Sequence, residues 1–196
     1  LYGIENNELP MVQFTMRIDG GQSLDPQGKE GVASILGTML KEGTKNRTPA
    51  ELEEAIDLLG SSISTSVGLE GMYITGNTLA KNFKETISLL TEMLTEPRWD
   101  VQAFDIVKNR RMNSIKQRKT NAQSVAFSAL AKQLYGSNHP ASTPLGGTEK
   151  TVNSITMKDI KNYFESNVSP KVSHFHIAGD IKQTTAQRLL GQLSQS

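Results

Sequence analysis

The stretch Gly31-Val32-Ala33-Ser34-Ile35-Leu36-Gly37-Thr38-Met39-Leu40-Lys41-Glu42-Gly43-Thr44 sets the reading of this chain. Val32, Ile35, Leu36, Met39 and Leu40 fall on one stripe at helical spacing, and Gly43 is the expected stop. Upstream, Leu1 to Ile4 and Val12 to Ile18 read as two strands joined by the turn-rich Asn6-Asn7-Glu8-Leu9-Pro10. Gly20-Gly21 closes the second strand, and Asp25-Pro26-Gln27-Gly28 leads into the helix. Downstream, Thr48-Pro49-Ala50-Glu51 starts a helix with threonine as cap, proline in the first turn and Glu51 positioned for a capping box.

The rest of the chain continues the mixture. Ser62 to Val67 and Met72 to Leu79 read as a β-hairpin across Gly68-Leu69-Glu70-Gly71. Asn82 with Glu85 opens a helix ended by Pro97, and Asp100 caps a helical tract reaching Leu134 with a break near Thr120-Asn121. A Gly/Pro-rich connection covers Tyr135 to Lys150. Thr156 and Asp159 begin a short helix through Phe164. Lys171 to Ala178 is a strand and Gln183 to Leu193 a last amphipathic helix. Strands and helices do not alternate as in a doubly wound fold. The expected class is α+β, a mostly antiparallel sheet with helices packed on one face, in a single domain over residues 1–196.

Composition narrows the function classes. The 196 residues suffice for one well-buried core, and 36% hydrophobic with 21% charged residues is the balance of an ordinary globular domain. A net charge of +1 gives no general pull toward nucleic acid or anionic membrane. No apolar run approaches the ~18 residues of a spanning helix. The absence of cysteine removes disulfides and thiolate metal ligands, whatever the compartment. Leu1 already reads like a strand, so a processed or trimmed start, within a longer multi-domain chain, is expected.

The quoted helix resembles the active-site helix of the pitrilysin/insulinase (inverzincin) zinc metallopeptidases. There, H-x-x-E-H lies in a frame similar to G-x-A-H-F-L-E-H-M-L-x-x-G-T. This chain keeps Gly31, Ala33, Leu36, Met39, Leu40, Gly43 and Thr44, while the three chemical positions read Ser34, Gly37 and Thr38. The resemblance extends through Glu8-Leu9-Pro10, the Gly20 to Pro26 turn, the Thr44 to Gly60 segment, Pro144-Leu145-Gly146-Gly147-Thr148-Glu149 and Gly179-Asp180. It implies the first domain of a non-catalytic half, which closes over a chamber whose zinc lies elsewhere.

What the resemblance implies for the site is loss. Hydroxyls at Ser34 and Thr38 are poor zinc ligands, and Gly37 cannot act as a base. The family's third ligand, a glutamate on a later helix, falls around Ile115-Lys116, and no Asp or Glu occurs between Asp105 and Glu149. Lys116 is expected to face Ser34 and Thr38 and to repel a cation. The site residues are therefore degenerate positions, Ser34, Gly37, Thr38 and Lys116, with no catalytic group, metal or cofactor in this domain. Zinc is expected in a partner half, in the same chain or in another subunit, with peptide as substrate and dimerisation as one arrangement. A bacterial envelope or a processing assembly fits the family's habits.

Other chemistry is weaker. His174 and His176, two apart in a strand, share a face and form a chelating pair on spacing alone. The blander reading puts them on the less buried face, with Phe175 and Ile177 inward and no carboxylate beside them in sequence. His139 stands apart, before Pro140. Lys108, Arg110, Arg111, Lys116, Arg118 and Lys119 form a basic tract, read as the solvated side of a helix whose apolar side is Phe104, Val107, Met112 and Ile115. Gly146-Gly147 lacks the phosphate-loop pattern. Asp25, Glu30 and Glu42 read as caps and solvated charges. Two rival functions remain: a scaffold resembling the core subunits of respiratory complexes, and a basic-surface binding module using Lys108 to Lys119.

Overall fold

The computed structural model describes residues 1–137 and 139–191. Among the described residues, five strands form one sheet: β1 (Tyr2–Glu5), β2 (Met11–Asp19), β3 (Ser62–Val67), β4 (Gly71–Leu79) and β5 (Ser173–Gly179). Their spatial order is β1-β5-β2-β4-β3, with β1 parallel to β5 and every other pair antiparallel. The helices are α1 (Val32–Met39), α2 (Pro49–Leu58), α3 (Phe83–Thr95), α4 (Val101–Thr120), α5 (Ala122–Tyr135), α6 (Glu149–Ser154), α7 (Met157–Asn167) and α8 (Gln183–Leu190).

Alternation along β2 sets the two faces of the sheet. Val12, Phe14, Met16 and Ile18 are buried beneath the helices, while Gln13, Thr15 and Arg17 point the other way. On β5 the inward residues are Phe175 and Ile177, and Phe175 stacks on Phe14 with ring centroids 5.6 Å apart. Phe83 from α3 meets Phe14 edge-on at 6.4 Å. The expected α+β class and the β3–β4 hairpin are present, and α4 and α5 part at Asn121, whose side chain caps α5 through Ser124 N.

Three local expectations need correction. β1 and β2 are not paired, because β5 lies between them. All four β1 residues are exposed, whereas β5 brings Phe175 and Ile177 to the core, so burial selects β5 as the neighbour of β2. α1 ends at Met39 rather than running to Gly43, since Lys41 N and Glu42 N tighten to carbonyls three residues back. The connection expected through Lys150 already contains α6, started by a reciprocal cap between Thr148 and Thr151. Threonine in place of the usual acidic partner hid that cap. The last helix is described as far as Leu190, and its expected end at Leu193 lies outside the described residues.

Phe14 joins three elements, so truncating it leaves a void that none can refill alone. Phe14→Ala should lower unfolding free energy by about 3–5 kcal/mol, read as a shifted urea midpoint with an unchanged denaturant slope.

Candidate functional site: a closed helix with an inverted charge

α1 is the most enclosed element of the fold. Val32, Ala33, Ile35, Leu36 and Met39 all have 0% relative exposure, and only Ser34 and Thr38 remain half-buried. Its start is built by side chains from the preceding loop. The Asp25 carboxylate accepts from Gly31 N at 2.6 Å and from Ala33 N at 2.9 Å, so the expected capping role is what it performs. Buried Gln22 donates to the Thr143 carbonyl at 3.1 Å and accepts from Gly146 N at 2.7 Å. That bridge holds the Gly-rich loop against the turn before α1. Tyr163 of α7 donates to the Gly21 carbonyl at 2.7 Å, and burial, with Asp25 nearby, pushes its pKa up.

Burial raises the Asp25 pKa from 3.8 to about 6, outweighing the backbone hydrogen bonds that pull it down. The protonated form is therefore favoured by folding. Its contribution to stability is fully present below about pH 4 and is lost as pH rises through about 6. Asp25→Asn keeps an acceptor without the charge. Between pH 4 and pH 7, urea titrations should show the variant losing less stability than the parent.

The degenerate motif positions lie as follows. Ser34 and Thr38 are one turn apart, and Thr38 Oγ1 donates back to the Ser34 carbonyl at 3.3 Å. Gly37 faces β3. A Cβ at that position would meet Val67 Cγ2 at 2.9 Å, and Thr65 Oγ1 donates to the Gly37 carbonyl at 2.6 Å. The space a glutamate base would need is taken by the strand. Gly37→Glu should cost about 1–3 kcal/mol through this overpacking, visible as a lowered melting temperature.

Lys116 does not occupy the expected place. It is exposed, and the α4 side chain that reaches the motif is Arg111, whose Nη2 donates to Ser34 Oγ. The helical phase explains the difference: Lys108, Arg111, Ile115 and Arg118 share the face turned to α1 and α6, while Lys116 points away. The residues present do not fit a catalytic zinc centre. They offer two hydroxyls, a position closed by Val67 and a guanidinium beside Ser34, with no carboxylate among them. Among the described residues, no group of three or more His, Cys, Asp or Glu side chains could hold a metal ion.

The basic tract is also not simply a solvated face. Lys108 Nζ donates to the Asn153 and Ile155 carbonyls at 2.8 and 2.7 Å. Arg118 donates to the Leu145 and Gly147 carbonyls at 2.6 and 3.1 Å, and Lys119 pairs with Glu149 at 2.6 Å. With Arg111 on Ser34, these cations fasten α4 to α1, α6 and the 144–149 loop, leaving Arg110 and Lys116 exposed. Sequence reading missed this because most of the acceptors are backbone carbonyls, which no residue type announces. Phe104, Val107 and Ile115 are buried as expected.

The histidines separate. Phe175 and Ile177 face inward, and His174 and His176 are on the exposed face. His174 Nε2 lies 3.2 Å from Asp19 Oδ2, a carboxylate that strand pairing supplies and linear sequence hid. His176 stacks on Tyr2 at 5.1 Å. His139 Nδ1 accepts from Ala141 N at 3.1 Å and its ring stacks on Tyr135, apart from the other two.

Comparison with known proteins agrees with this geometry. The sequence profile described as Insulinase (Peptidase family M16) matches residues 4–149. The chain is 26% identical over 191 residues to "Non-peptidase homolog YmxG" of Helicobacter pylori, covering 97% of this chain and 44% of that protein. It is 23% identical over 163 residues to the mitochondrial-processing peptidase subunit beta of Rattus norvegicus, covering 83% of this chain and 33% of that one. The chain thus spans less than half the length of these curated relatives. Among solved structures, a peptidase M16 inactive domain from Pseudomonas fluorescens superposes with a TM-score of 0.93 at 22% identity. The match covers 98% of this chain and 47% of that one. Pitrilysin superposes with a TM-score of 0.83 at 16% identity, over 98% and 21%. At such identities the superpositions show the fold, while the profile match shows the family. The chain belongs to the insulinase family, peptidase family M16, as a non-catalytic domain whose zinc-binding and base positions have been replaced.

Proposed function

We propose that this domain is the substrate-enclosing, non-catalytic half of a zinc metallopeptidase assembly. The active half would lie elsewhere in the same polypeptide or on a partner subunit. The observation that carries this reading is the preserved scaffold around a lost site: α1 keeps its enclosed frame while every chemical position has changed. Drift without a retained role would erode the frame as well.

The surface supports a covered face. α5 buries none of its residues and presents Phe127 at 61% and Leu134 at 67% relative exposure, with Val125, Leu130 and Tyr135 beside them. An apolar helix of this kind is costly to leave in water and is the sort of surface that marks an interface. β1, with Tyr2 and Ile4 exposed, adds an open sheet edge. The names of relatives fit both catalytic and non-catalytic halves: a "non-peptidase homolog" and a processing-peptidase subunit.

Two measurements test the proposal. After dialysis against zinc, the domain should retain no stoichiometric metal and cleave no fluorogenic peptide. One tightly held zinc with chelator-sensitive turnover would overturn its non-catalytic assignment. The full-length protein should either carry an intact H-x-x-E-H copy or co-purify with a protein that does. A strictly monomeric full-length protein with neither would favour the scaffold reading instead.

A further inference from the structure

Arg111 is an unusual residue to find against α1. Its guanidinium is half-buried, and its one hydrogen bond among the described residues goes to Ser34 Oγ. A Cβ on Gly146 would sit 2.8 Å from Arg111 Nη1, so the loop glycine leaves just enough room for the guanidinium to lie over the backbone. Among the described residues, no carboxylate balances it. α1 and β3 contain no acid, and the chain has none between Asp105 and Glu149. Burial and the neighbouring Arg118 charge both act against its protonated form, with no opposing anion. A partly desolvated cation normally acquires a partner, because leaving it unpaired is expensive.

We infer that Arg111, with the Ser34 hydroxyl, forms a binding site for a carboxylate of a peptide, placed where the family's relatives bind a metal cation. This deepens the enclosing role proposed above and rests on it for the source of the ligand. The donor count selects the chemistry. Arg111 has four N–H groups beyond the one given to Ser34, in a planar fork that matches a carboxylate in bidentate fashion. Ser34 accepts from Arg111 and retains its own proton to donate. Arg118 has both terminal nitrogens committed to the Leu145 and Gly147 carbonyls. The free donors beside Ser34 are therefore those of Arg111, whose planar fork suits the two oxygens of a carboxylate. Ser34, Thr38 and Arg111 are each half-buried, so the site is screened from water and still reachable.

The carboxylate has two sources in a peptide, an acidic side chain or the C-terminus, and three acetylated, fluorescently labelled pentapeptides separate them. The first has a central Glu and an amidated end, the second a central Gln and an amidated end, and the third a central Gln and a free C-terminal carboxylate. Anisotropy titrations on the full-length protein should give at least ~10-fold tighter binding for one or both carboxylate-bearing peptides than for the neutral one. Which one prevails identifies the source. Arg111→Met should erase the preference, while Arg111→Lys, retaining charge without the fork, should reduce it. Arg110→Met, at an exposed position on the same helix, should leave it intact. Circular dichroism and the melting temperature establish that each variant is folded. Equal binding of all three peptides would overturn the carboxylate site and leave the enclosing role standing. Absence of binding by any of them, or a preference that survives Arg111→Met, would also overturn it. The enclosing role itself is judged separately, by co-purification with a zinc-bearing half.

Discussion

The enclosure of α1 is the constraint on which the rest of the structure depends. A helix with five side chains at 0% exposure has to be covered by several elements at once. The sheet lies beneath it, β3 approaches at Gly37, α4 and α7 flank it, and the 144–149 loop reaches its N-terminal end. Each of these elements is fixed partly by its contact with α1. The turn before the helix cannot be changed freely either, because Asp25, Gln22 and the Tyr163 partner Gly21 all supply polar groups that would otherwise be buried without hydrogen bonds.

This enclosure explains how the domain lost its chemistry without losing its fold. Apolar frame positions are held by packing, where a single methylene is felt. Of the positions that carry chemistry in relatives, Ser34 and Thr38 lie on the one side of α1 left partly open, whereas Gly37 is closed against β3. With no side chain at Gly37, β3 packs close on the helix and Thr65 donates to the Gly37 carbonyl. With Arg111 on Ser34, the local charge is the reverse of what a metal cation needs. These are coupled changes: a substitution restoring the motif alone would encounter Val67 and a guanidinium.

The four engaged cations on α4 show why charge runs are poor guides to partners. In sequence Lys108, Arg111, Arg118 and Lys119 read as the solvated side of a helix, with a patch for anionic surfaces as the rival. In the fold Lys108 and Arg118 act as long, positively charged donors for carbonyls at the end of α6 and in the loop, while Arg111 bonds to the Ser34 hydroxyl and Lys119 pairs with Glu149. Such carbonyls have no intrahelical donor, and lysine or arginine supplies one while keeping part of the side chain packed.

The chain by itself determined a good deal. Periodicity placed most helices and strands, alternation chose the buried face of β5, and the frame around Ser34, Gly37 and Thr38 identified both the family and its lost chemistry. These are local signals, carried by residues whose spacing alone fixes their shared face. Tertiary structure decided what spacing cannot reach. It inserted β5 between β1 and β2, because burial of Phe175 and Ile177 outweighs proximity along the chain. It brought Asp19 to His174 across a strand pair. It selected Arg111 rather than Lys116 to face Ser34, because the phase of α4 depends on where Phe104, Val107 and Ile115 find their core. Contacts between residues 77 apart depend on how two helices dock, and docking is settled by packing of the whole domain.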